Sequence, residues 1–215
     1  MSLYALSLGG AALHKTAGRS FHSAAAFLRR GLERRGCVAC PDGTLDLPVY
    51  GTALALLADG PGLDLWTSAE QRTMRDYLRA TQVLESRGFR ADDVHLGGWD
   101  LGGAPPPRGV TTGTNVSLTA WALDALATDA APADGKVSPE TDAAGRASAA
   151  RAAALRWITR CQNRPGDGGF AFSPETTSTD NKAQVDETTR RPRSYGTATC
   201  DGLVALTALD VEVAA

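Results

Sequence analysis

Apolar and polar positions along this chain fall into two helical styles. In Ser20–Arg35, Phe21, Ala24, Phe27, Leu28 and Leu32 recur at helical spacing, and Arg29, Arg30, Arg34 and Arg35 gather near the C-terminal end, where the dipole favours cations. Ser20 is the N-cap and Gly36 the stop, so a helix is predicted over that span. Leu65–Leu84, capped by Thr67 or Ser68 with Glu70 near N3, and Ala147–Cys161 are amphipathic in the same way. Tyr50–Ala58, Thr114–Ala127 and Thr197–Leu209 are almost wholly apolar or small, which predicts helices buried on most sides. Leu3–Leu8, ended by Gly9-Gly10, is a lone helix of that second kind. The segments between read as loops. Arg87–Gly113 is rich in Gly and Pro, Thr128–Arg146 reads as a flexible linker, and the polar Ser173–Arg193 as a mobile segment.

The two styles alternate, so the chain is three outer-inner hairpins, about residues 20–60, 66–128 and 147–210, in one domain over 1–215. The inner helices share a Gly-Thr pair: Gly51-Thr52, Gly113-Thr114 and Gly196-Thr197. A second pattern repeats as Tyr77-Leu78…Gln82…Gly98-Trp99 and Trp157-Ile158…Gln162…Gly169-Phe170. In the first hairpin Leu32 stands where the Gln would be. The expected fold is all-α, with stacked helical hairpins forming an arc.

These residues, together with Tyr50–Leu57, resemble the prenyltransferase and squalene-oxidase repeat, the QW motif of squalene–hopene and oxidosqualene cyclases. The resemblance covers roughly residues 20–210 and implies an α/α toroid around an apolar cavity. It implies a structural role for the Gln and the aromatic, which tie neighbouring hairpins together. By that resemblance, closing such a ring takes about five to seven hairpins. Three hairpins therefore imply an incomplete toroid: an open arc, a fragment, or a half-ring that pairs with another copy.

Composition narrows the partners. A net charge of −2 over 215 residues argues against nucleic acid. Abundant Ala and Leu favour helix. No apolar run reaches the length of about 18 residues needed for an integral membrane segment. The start, MSLYALSLGGAALHK, lacks a basic n-region and does not read as a signal peptide, which favours a cytoplasmic location.

The chemistry implied by the resemblance is mostly missing. The cyclase acid belongs in an Asp-x-Asp-Asp motif before an inner helix. Here that stretch reads Leu47-Pro48-Val49-Tyr50-Gly51-Thr52-Ala53, with Asp46 the nearby carboxylate. The zinc set of protein prenyltransferases needs a His where Gly196 stands. Cys37-Val38-Ala39-Cys40 has ligand spacing but no second pair, and His14, His22 and His95 are scattered, so neither a metal nor a cofactor is expected. Asp180, Asp186 and Glu187 lie in the polar loop, as solvated residues or part of a lid.

Asp201 is the candidate acid: a carboxylate within an apolar helix, beside Cys200, with structural pairing to Arg193 as the alternative. Tyr50, Trp121, Tyr195 and Cys200 are the candidate ligand-binding residues of the inner helices. The expected function is a terpene cyclase/prenyltransferase-like domain holding an apolar, isoprenoid-like small molecule or a protein partner on its concave face. The alternatives are a terpenoid-modifying enzyme using Asp201 or residues outside the chain, and a structural module that forms a homodimer.

Overall fold

In the computed structural model, described for residues 22–40, 47–60, 63–101, 113–127, 141–164, 166–175 and 181–211, the chain is all-α. The helices are α1 (22–30), α2 (Pro48–Leu57), α3 (Ser68–Thr81), α4 (Val116–Ala127), α5 (Thr141–Cys161) and α6 (Gly196–Ala208), with a short 3-10 turn at Glu85–Arg87. No described helix is long and apolar enough to cross a membrane. Leu3–Leu8 lies outside the described residues. The chain divides into two compact units, Met1–Thr81 with Leu101–Pro105, and Gln82–Asp100 with Pro106–Ala215. The expected middle hairpin thus gives α3 to the first unit and α4 to the second.

In the first unit α1 ends at residue 30, short of the expected Arg35. The Gly31 N–H closes back onto Phe27 and Leu28, and the chain then turns so that Leu32 pairs with Val38 in an isolated antiparallel bridge. Gly36 makes that turn with φ 87°, and a Cβ there would collide with the carbonyl oxygen of Thr73 on α3. α2 starts at Pro48, whose fixed φ suits a first helical turn. It packs on α3 and buries Val49, Thr52, Ala53, Ala55 and Leu56. Asp59 ties the α2–α3 connection by accepting from Leu65 N–H at 2.7 Å and from Gln71 Nε2 at 2.7 Å. α3 begins with a reciprocal cap: the Glu70 carboxylate accepts from Thr67 N–H at 2.7 Å, and Thr67 Oγ1 accepts from Glu70 N–H at 3.2 Å.

The second unit opens with another isolated bridge, Gln82 to Trp99, flanked by Val83 N–H to the Gly98 carbonyl at 2.9 Å. Val83, Phe89 and Leu96 form a small apolar cluster beneath it, so the first part of the expected long loop is built rather than loose. Asn115 Oδ1 accepts from Leu118 N–H at 2.8 Å and starts α4. α5 begins at Thr141, inside the stretch expected to be a linker. Its Ala-rich sequence sustains helix through Gly145, because Ala's propensity outweighs one glycine. The segment expected to be mobile is held by its own polar groups over 181–193. Buried Asn181 accepts from Ser173 N–H at 3.0 Å and donates to the Glu175 carbonyl at 2.8 Å, and Val185 bridges Pro192. Arg193 stands 3.7 Å from Asp186. Short Asn and Asp side chains can stand in for a missing backbone ladder, so polarity alone does not make a loop mobile.

One arrangement occurs at three places. After α1, α3 and α5 the chain forms a bridge, Leu32–Val38, Gln82–Trp99 and Gln162–Phe170. In each, the N–H of the second partner donates to a threonine hydroxyl on the next apolar helix: Val38 to Thr52 at 2.9 Å, Trp99 to Thr119 at 3.2 Å, and Phe170 to Thr199 at 3.0 Å. The matching threonines are therefore Thr52, Thr119 and Thr199, and the shared Gly-Thr pair is not the register. Thr114 instead bridges Asp100, and Thr197 is exposed at the start of α6. α6 also departs from the expected all-round burial. It packs on α4 and α5 through Ala198, Gly202, Ala205 and Ala208, while Cys200, Leu203 and Thr207 face solvent.

Candidate functional site

α4 and α6 are the most closely packed helix pair, and four of the expected site residues lie on or beside them. Ser117, Trp121 and Asp124 are half-buried and spaced at one helical turn, so they line one side of α4 while Val116, Ala120 and Leu123 face inward. Asp201, half-buried on α6, meets this side: its carboxylate accepts a hydrogen bond from the Ser117 hydroxyl. Trp121 follows Ser117 by one turn, so an indole, a hydroxyl and a carboxylate share one surface. Asp201 pairs with Ser117, and the Arg193 considered from sequence faces Asp186 instead.

The other expected residues are dispersed. Cys200 is adjacent to Asp201 in sequence but exposed, a thiol in the register of buried Ala53 and Ala120. Tyr195 stands at the N-cap of α6, where its N–H donates to the Phe170 carbonyl at 3.2 Å and its carbonyl accepts from Thr199 N–H at 3.0 Å. Tyr50 is half-buried on α2 in the first unit.

Asp124 went unremarked in the sequence, and His95 was read there only as one of three scattered histidines. Burial raises the Asp124 carboxyl above its ordinary value. Its spacing of i+3 from Trp121 was the available signal. His95 is mostly buried, with Nδ1 3.0 Å from Thr114 Oγ1 and Nε2 3.7 Å from Glu175 Oε2. These partners are remote in sequence, so nothing local marks that cluster.

Of the spaced pair Cys37 and Cys40, the first is buried and the second half-buried. Cys37 is fully buried, its thiol is pushed up chiefly by that burial, and Arg35 Nε donates to its sulfur at 3.1 Å. Cys161 is buried with its thiol held well above the usual range by desolvation. No cluster of three metal-ligating side chains occurs among the described residues.

Of the cavities, one of about 220 Å³ lies between the Leu32–Gly36 turn and α3, lined by Leu32, Glu33, Ala69, Glu70 and Thr73. It coincides with the place where a Gln side chain would reach across from position 32. A second, near Cys161 and Arg191, has about 20 Å³, room for one water.

Compared with family models, curated proteins and solved structures, the chain matches none significantly.

Proposed function

We propose that the chain is a terpene cyclase/prenyltransferase-like helical-repeat domain of the α/α-toroid type that binds an apolar, isoprenoid-like ligand without turning it over. The observation that carries the reading is the hydrogen bond from Ser117 to Asp201 beside Trp121. The aromatic offers a flat apolar face, and the neighbouring carboxylate is engaged in joining two helices. Asp124, on the same side of α4, has a carboxyl weakened as an acid by burial. Protonating a weakly basic double bond asks for the opposite. The Gln and aromatic residues of the motif support the same reading, since their hydrogen bonds and burial serve packing.

Calorimetric titration of the purified chain with farnesol tests this. The expected result is saturable binding that weakens more than about tenfold in Trp121→Ala. No heat of binding overturns the ligand reading. Conversion of farnesol or squalene to a new product, lost in Asp201→Asn, would make the chain an enzyme instead.

A further inference from the structure

The three hairpin ends are built alike but covered unequally. Phe27, Tyr77 and Trp157 hold one register, each five residues before its bridge. Tyr77 and Trp157 are 5 % and 0 % exposed, whereas Phe27 is 55 % exposed. Trp157 is covered by the hairpin end before it: a Cβ at Gly98 would lie 2.9 Å from the indole. One turn earlier on α5, the Ala153 carbonyl stands over Gly97, where a Cβ would collide with it. In the first unit the Thr73 carbonyl covers Gly36 in the same register.

The last hairpin end has no such cover among the described residues. Gly168, the counterpart of Gly36 and Gly97, has φ 75° and nothing within 4 Å of where a Cβ would be. Gly169, the counterpart of Gly98, has Ser194 and Thr199 nearest to its Cβ direction, where Gly98 has Thr114 and the Trp157 ring. Gln82 Nε2 donates to both Gly97 and Ala150, whereas among the described residues Gln162 Nε2 donates to Gly168. Leu203 marks the same asymmetry. By the threonine register its counterparts are Leu56 and Leu123, 7 % and 4 % exposed, and it is 55 % exposed.

We propose that the end at Gln162–Phe170 takes α1 of a second copy of the chain, with Phe27 seated on Gly169 and the Ser23 carbonyl over Gly168. The chain itself supplies both missing halves. Among the described residues it has an end without an outer helix, and an outer helix whose aromatic is left 55 % exposed, with Ser23 in the register of Thr73 and Ala153. Two different patches meet, so the contact is head-to-tail and every copy carries one of each. Phe27, an exposed apolar side chain on one of the two patches, fits a surface that associates.

Sedimentation velocity of the full chain over a concentration series tests the proposal, using wild type, Phe27→Asp and Gly168→Asn. Asn tolerates a positive φ and adds the Cβ that the covered counterparts cannot accommodate. Gly168→Asp is a second end variant, and circular dichroism checks that each is folded. Wild type should associate with rising concentration, and each variant more than about tenfold more weakly. A mixture of Phe27→Asp with either end variant should pair again, because one intact contact forms between them. A wild type that stays monomeric at its highest soluble concentration overturns the proposal. So does a mixture that associates no better than its components. The ligand reading is separable: a monomer that binds farnesol removes only the self-association, and an associating chain that ignores farnesol removes only the ligand.

Discussion

The Gln82 carboxamide donates to the Ala150 carbonyl at 3.0 Å, joining the bridge at Trp99 to α5 across 68 residues of chain. The same nitrogen donates to the Gly97 carbonyl at 3.0 Å, and the side chain is buried. Gln162 holds the matching position, but its bond to the Gly168 carbonyl, 2.9 Å, is exposed to solvent. Gln82→Leu should therefore destabilise the chain by about 1–3 kcal/mol, through two acceptors left without their donor. Gln162→Leu should cost less than about 1 kcal/mol, since water replaces the lost donor. Urea unfolding of the two variants checks the ordering.

Gly202 gives a sharper steric test. A Cβ there would lie 2.5 Å from the Phe170 ring, which is buried against α6. Gly202→Ala should cost about 1–3 kcal/mol by overpacking. Gly145, exposed within α5 and with nothing within 4 Å of its Cβ direction, should behave oppositely. Gly145→Ala should stabilise by roughly 0.5–1 kcal/mol. Thermal unfolding midpoints should move in opposite directions.

The Thr67–Glu70 cap predicts a pH dependence. The Thr67 N–H bond, with help from the Thr67 hydroxyl and Arg29, holds the Glu70 carboxyl below its ordinary 4.5. A lowered folded value means the contribution is complete above 4.5 and is lost as pH falls through the lowered value. Glu70→Ala should cost about 1 kcal/mol at neutral pH. That difference from wild type should close under acid conditions in stability measurements across the pH range.

Asp124 runs with the opposite sign. Burial raises its carboxyl, so its favourable contribution is present at low pH and is lost as pH rises through the raised value. Asp124→Asn should be slightly stabilising at neutral pH, a gain reduced by solvent screening and absent in acid. A variant that is less stable than wild type at neutral pH would mean the carboxylate has a partner it needs.

Much of the fold was legible because local signals agreed with one another. The amphipathic pattern of Leu65–Leu84 and the Thr67–Glu70 spacing both marked α3 and its start, and its buried face is Met74, Tyr77, Leu78 and Thr81. The repeated spacing of Gln82 and Gln162 to Trp99 and Phe170 was visible in the sequence, but the bridges those pairs form were not. The end of α1 was not legible, since Leu32 continues the helical period, yet its backbone turns to meet Val38. The threonine register was hidden as well. Gly-Thr pairs attract notice, while the hydroxyls at Thr119 and Thr199 are defined only by the N–H groups they receive. At the candidate site, sequence reasoning named Asp201 and Trp121 but not Ser117, which lies 84 residues from its carboxylate partner. Such pairing depends on how α4 and α6 pack, which a one-dimensional pattern does not specify.

The reach of the two glutamines also sets an order of assembly. The Gln162 bond closes a loop of 6 residues, and the Gln82 bond to Ala150 a separation of 68. Closing the longer loop costs more chain entropy before any contact repays it, so the hairpin end at Phe170 can form while α5 is still undocked from Gln82. The Gln82 bond to Ala150 should therefore form later than the Gln162 bond to Gly168.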